Sequence, residues 1–163
     1  MIEVFRLEEI KFMPDINKII KDNFWLFPID ITNIELSTSE EDTKESFDLI
    51  YKSRIEISIR IRNNEYFKTF CDFTIRNKAQ YGGKTEIDKL TEGKGSIYLY
   101  AWKSVDNRIL QSWILININK IRNDLLTNGK QRYNKDNTAF KAYSLLWLKN
   151  KDAIINFENI PEL

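Results

Sequence analysis

An α+β fold, with helices packed against a mixed but mostly antiparallel sheet, is what this sequence predicts, and three observations predict it. The stretch RIEISIRIR, residues 54–62, alternates without a fault, with isoleucine at 55, 57, 59 and 61. That is the period of a half-buried strand. FCDFTIR, residues 70–76, continues the alternation, with Cys71, Phe73 and Ile75 opposite Asp72, Thr74 and Arg76. Apolar stripes at helical spacing flank these strands, which separates the chain into sheet and helix segments.

Along the chain, Asp15 to Phe24 reads as an amphipathic helix, with Ile16, Ile19, Ile20 and Phe24 on one stripe after Pro14. STSEEDTKES places hydroxyls three residues before acids, a helix-start pattern that predicts acidic turns. FDLIY is a short strand. The link from Asn63 to Lys68 has hairpin length, so residues 46–76 are expected to form a contiguous antiparallel meander with Ile55, Ile57, Ile59, Phe73 and Ile75 buried together. Thr85 then caps a short helix with Asp88 at its third position, and Gly93 ends it. SIYLYAW and RILQSWILINI predict a second hairpin across SVDN. A helix is expected near Asn119–Leu126, with Ile118, Ile121 and Leu125 on one stripe. The last third predicts a strand followed by a helix. The order helix, three strands, helix, strand, strand, helix fits one domain over residues 1–163.

Composition narrows the chemistry. Hydrophobic residues make up 42% and charged residues 30% of the 163, as in a soluble domain with a real core. The 25 basic and 24 acidic residues nearly cancel, so any electrostatic attraction is local. Residues 30–48 hold seven acids against Lys44, and residues 76–103 hold six bases against three acids. Histidine is absent, which excludes histidine-based triads, general bases and metal ligation. The single Cys71 excludes an internal disulfide and reads as a small core residue, in keeping with a cytoplasmic protein. No apolar run is long enough to suggest a membrane span or a signal peptide.

The corner NKAQYGGKTEIDKL brings Gly-Lys-Thr to a helix start, but a P-loop needs a glycine with four residues between it and Gly83, and the chain has Lys78 at that place and little other glycine. Nucleotide hydrolysis is therefore set aside. Lys84 could still hold a single phosphate there. On the meander, Glu56, Ser58, Arg60, Arg62, Asp72, Thr74 and Arg76 would share one polar face, either as a solvated row of cross-strand ion pairs or as a binding surface. Glu86 and Lys89, three apart, share a helix face and read as a surface ion pair. Tyr98, Tyr100 and Trp102 alternate with Ile97, Leu99 and Ala101; such a strand is a core strand first and a base-stacking surface second.

TSEEDTKESFD, ISIRIR, DFTIR and GKTEIDKLTEGKGSIYLYAW, within residues 38–126, look like a family of uncharacterised phage and mobile-element proteins. The order helix, three strands, helix, strand also resembles the PD-(D/E)XK, restriction-endonuclease-like nucleases. That resemblance implies carboxylates holding Mg²⁺ and a lysine orienting water. Carried over, Asp48, Asp72 and Glu56 would be metal ligands, and Asp48, Asp72, Lys84 and Glu86 the catalytic set. Thr74 stands where the motif has its lysine, and Ser96 where the phage family's glycine-rich motif has an aspartate. Arg60, Arg62, Arg76, Lys84, Lys89 and Lys94 would contact nucleic acid. The expected function is a nucleic-acid-contacting phage or mobile-element protein, with Mg²⁺-dependent phosphodiester cleavage as its sharper form. The alternative is a non-enzymatic inhibitor of a host defence complex of CRISPR type, with Glu40, Glu41, Asp42 and Glu45 mimicking nucleic acid.

Overall fold

The computed structural model describes residues 10–23, 34–36, 49–51, 55–69, 71–161 and 163. In chain order its elements are α1 (Met13–Asn23), β1 (Ile34–Leu36), β2 (Leu49–Tyr51), β3 (Ile55–Arg62), α2 (Asn64–Thr69), β4 (Asp72–Lys78) and α3 (Glu86–Thr91). There follow β5 (Ile97–Lys103), β6 (Leu110–Asn117), two 3-10 turns at Ile118–Lys120 and Arg122–Asp124, β7 (Lys130–Tyr133), β8 (Ala139–Ser144), α4 (Leu145–Asn150) and β9 (Ile154–Glu158). The class is α+β, as the alternation and the helical stripes predict.

The strands divide into two sheets. The larger has six strands in the order β1-β2-β3-β5-β6-β9, and the smaller has three, β4-β8-β7. All neighbours are antiparallel except β3 and β5, which run parallel with Ser58 beside Tyr98 and Arg60 beside Tyr100. β1, β2 and β3 do form an antiparallel meander. The expected continuation into residues 70–76 does not occur, because β4 pairs with β8 in the smaller sheet.

Two physical reasons account for that correction. Every residue of β5 is buried, and a strand buried on both faces belongs inside a sheet with a neighbour on each edge. β3 and β6 fill those edges. The link after β3 is also no hairpin. It folds into α2, held by the Asn64 side chain, whose Nδ2 donates to the Lys103 carbonyl at 3.2 Å and to Gln111 Oε1 at 2.9 Å. Phe67 meets Trp102 edge to face at 5.1 Å between centroids. The chain is thus carried out of the larger sheet before β4 begins.

Sheet alternation then makes two cores. Ile57, Ile59, Leu99, Ala101 and Leu115 face α1, where they bury Phe12, Ile16, Ile19 and Ile20. Tyr98, Tyr100, Trp102, Ile114 and Ile116 face the opposite way, onto Phe73, Ile75 and Tyr143 of the smaller sheet and Ile87 and Leu90 of α3. Ile57 and Ile59 are therefore buried, but in a different core from Phe73 and Ile75. The larger sheet is the middle layer of three. Each fully buried Ile, Leu or Phe contributes about 1.5–3 kcal/mol.

The helix starts and stops follow their sequence signals. Thr85 caps α3 in a reciprocal capping box with Asp88. Gly82 and Gly83 turn the corner before it at φ of 80° and 93°, where a side chain would be strained. The expected helix near residues 119–126 is instead the two 3-10 turns, although Ile118, Ile121 and Leu125 are all buried as the stripe requires. The predicted acidic turns of STSEEDTKES lie outside the described residues, as does Phe24.

Candidate nucleic-acid interface and the buried carboxylate

Glu86 opens α3 and reaches the seam between the two sheets. Its Oε2 accepts from the Arg60 guanidinium and from the Arg76 backbone N–H at 3.0 Å, and its Oε1 accepts from the Tyr98 hydroxyl. The pair is largely enclosed, with the Arg60 and Glu86 side chains 21% and 16% exposed. Burial opposes the charge on Arg60, but Glu86 and the oxygens of Tyr98 and Tyr100 outweigh it and hold the guanidinium above its usual range. The expected surface pair of Glu86 with Lys89 is thus replaced: Glu86 faces inward, to Arg60. One carboxylate ties β3, β4 and β5 to α3.

Beside it, the Tyr100 hydroxyl and Thr74 Oγ1 lie 2.8 Å apart. Burial raises the Tyr100 phenol, against the pull of Arg62, Arg60 and the Thr74 bond. Thr74 stands where the nuclease-like motif has a lysine, and it serves as a partner for that buried tyrosine. The aromatic strand accordingly belongs to the core, with Tyr98, Tyr100 and Trp102 at most 1% exposed.

The other carboxylates take up separate partners. Glu56 Oε2 accepts from the Gly95 N–H at 2.8 Å. Asp72 Oδ2 lies 3.7 Å from Arg132 Nη2, and the exposed Lys84, ahead of α3, has its Nζ 2.7 Å from Oε2 of Glu92 at the helix's far end. Asp48 lies outside the described residues. Among the described residues, no group of three or more Cys, Asp or Glu is placed to hold a metal ion. Lys89 and Lys94 are half-buried, at and beyond the end of α3, where Arg122 also binds, donating to the Leu90 carbonyl and, at 3.0 Å, to the Gly95 carbonyl.

The positive charge concentrates instead on the smaller sheet. Its strands carry five bases, Arg76, Lys78, Lys130, Arg132 and Lys141, against the single acid Asp72. Register sorts these residues by face. One face turns Phe73, Ile75 and Tyr143 toward the larger sheet. The other carries three rows, Asp72–Ser144, Thr74–Ala142–Lys130 and Arg76–Phe140–Arg132. Arg76 and Lys130 are exposed, while Phe140 and Arg132 are half-buried. Small Thr74 and Ala142 are buried between them, and Arg62 borders Thr74 on the β4 side.

Arg62 ends β3 at that border. Its Nη1 is 3.5 Å from Thr74 Oγ1, and its guanidinium lies over the Tyr66 ring at 4.4 Å from the centroid. Its Nε is buried and has no hydrogen-bond partner among the described residues. Of the basic residues expected to contact nucleic acid, Arg62 and Arg76 are brought together here, Arg60 is consumed in the seam, and Lys84 is elsewhere. Tyr66, Lys130, Arg132 and Phe140 were not singled out in the sequence. For the last three the signal was the alternation in KQRY and AFKAY on either side of NKDNT, which forms the β7–β8 hairpin.

No protein-family model matches this chain, and no curated protein or solved structure matches it either.

Proposed function

We propose that the protein contacts nucleic acid through the outer face of the three-stranded sheet and acts there as a binding protein. The observation that carries this reading is the pair of exposed cations Arg76 and Lys130 on that face, with Arg62 at its border and half-buried Arg132 shared with Asp72. Cations fixed on a sheet neutralise phosphates and release counterions, so affinity falls with salt. The carboxylates of the nuclease-like set support binding over hydrolysis, since Glu86, Glu56 and Asp72 are engaged by Arg60, Gly95 and Arg132. The resemblance to phage and mobile-element proteins is in keeping with a nucleic-acid partner. Inhibition of a host defence complex is the other reading that resemblance carries, and its acidic residues, 40–45, lie outside the described ones.

Fluorescence anisotropy with labelled oligonucleotides over a salt series tests the proposal. The full chain should bind, Lys130→Glu and Arg76→Ala should weaken binding, and each should reduce the salt slope by about one. No binding at low salt, or unchanged affinity in both variants, would overturn it. The same samples incubated with Mg²⁺ or Mn²⁺ should leave the strands intact. Nicking that Asp72→Asn abolishes without unfolding the domain would replace binding with metal-dependent hydrolysis.

A further inference from the structure

We propose that Asn128 is a site of spontaneous modification, at which its side-chain amide is lost to the backbone nitrogen of Gly129 and Lys141 activates the exchange. Asparagine is among the thermolabile residues of proteins, and the reaction needs only water and no partner. The Gly129 nitrogen gives up its proton and attacks Asn128 Cγ. The bond from Cγ to Nδ2 breaks, and Nδ2 takes up a proton and leaves as ammonia. Water then opens the resulting succinimide at Cγ, giving aspartate, or at the main-chain carbonyl, giving isoaspartate.

Asn128 is the one asparagine in the chain followed by glycine, and every other asparagine precedes a residue whose side chain hinders approach to the backbone nitrogen. Gly129 is exposed, at φ of 81°. Its N–H donates to no carbonyl among the described residues, so solvent can take the proton. The Asn128 amide is weakly held, since Nδ2 makes only long contacts, 3.3 Å to the Asp124 carbonyl and 3.2 Å to Thr127 Oγ1. Lys141 of β8 donates its ammonium to the Asn128 carbonyl at 2.9 Å and to the Leu126 carbonyl. That Asn128 oxygen belongs to the peptide group whose N–H must be lost. Once the Gly129 nitrogen is deprotonated, charge spreads onto this oxygen, and the adjacent cation stabilises it. The fold also fixes the glycine, because a Cβ at 129 would lie 2.7 Å from the Tyr143 ring. Packing against Tyr143 thus requires the residue that leaves Asn128 open to attack. Isoaspartate lengthens the main chain just before Lys130 pairs with Ala142, and both products add a carboxylate at the entry to β7.

Peptide mapping by mass spectrometry on the full chain, held folded at mildly alkaline pH, tests the proposal. Residue 128 should gain the mass that separates an acid from an amide, with isoaspartate the major product and a rate that rises with hydroxide. A synthetic peptide of residues 123–130 sets the reference, and the folded chain should convert at least as fast. Gly129→Ala would clash with Tyr143, so Lys141 is the residue to vary. Lys141→Met should slow conversion about fivefold, while Lys141→Arg, which keeps the cation, should convert as the parent does; circular dichroism melts check that both are folded. A folded parent chain that converts more slowly than the peptide would overturn the proposal. A Lys141→Met rate equal to the parent's or above it would overturn the activation by Lys141.

Discussion

Glu86 shows how a residue that reads as a surface charge becomes internal. Its carboxylate takes three donors, from Arg60, Tyr98 and the Arg76 backbone. Breaking an enclosed pair on one side leaves the other charge uncompensated, which costs more than the pair contributes net. Glu86→Gln should therefore destabilise the fold by about 2–4 kcal/mol in urea unfolding. Replacing both partners, Arg60→Met with Glu86→Leu, should recover a large part of that loss. If the double variant is as unstable as the sum of the two single ones, the residues act independently and the brace is not a pair.

At the level of elements, α3 is six residues long and depends on its ends. Thr85→Ala removes one half of the capping box and should cost about 1 kcal/mol by denaturation. It should also loosen Glu86, the first helical residue, so the loss should shrink in a Glu86→Gln background. Equal losses in both backgrounds would confine the cap to the helix itself. This element was legible in the sequence because its signals are local: the Gly-Gly corner, Thr85, Asp88 and Gly93 act within about a dozen residues of one another. The strand periods of β3 and β4 were legible for the same reason. Which strands are neighbours was not. That β3 prefers β5 depends on β5 being buried on both faces, and on Phe67 finding Trp102, contacts made across tens of residues. The polar stripe of β3 was read correctly as a stripe, yet it faces the seam beside Tyr98 and Tyr100 rather than open solvent. The basic face was legible only in part, since Arg62 and Arg76 come from the regular half and Lys130 and Arg132 from the irregular last third.

Across the whole molecule, the tyrosines couple the two sheets to pH. Burial holds Tyr100 and Tyr143 above the ordinary phenol value of 10.0. A folded-state value above the unfolded one means that the unfolded chain loses its protons first. Stability is thus unaffected below about pH 10 and falls as pH rises through the unfolded value toward the folded ones. Alkaline titration followed by near-ultraviolet absorbance should show these two phenols ionising only together with loss of the tertiary signal, and Tyr100→Phe should shift that transition to higher pH. Smooth ionisation of all seven tyrosines with the tertiary signal intact would contradict their burial.

The parallel pairing of β3 with β5 also orders events during synthesis. The segment that joins them contributes β4 to the other sheet, whose two remaining strands lie beyond β6, and β9 then returns to the first sheet. Neither sheet can be finished before the last quarter of the chain has left the ribosome. Until then the emerging protein holds β4, which carries Phe73 and Ile75, with no strand beside it, and β6, rich in large apolar side chains, with an open edge. Such edges pair readily with other chains. The arrangement that locks the finished molecule together thus leaves its unfinished form dependent on rapid completion or on a chaperone's cover.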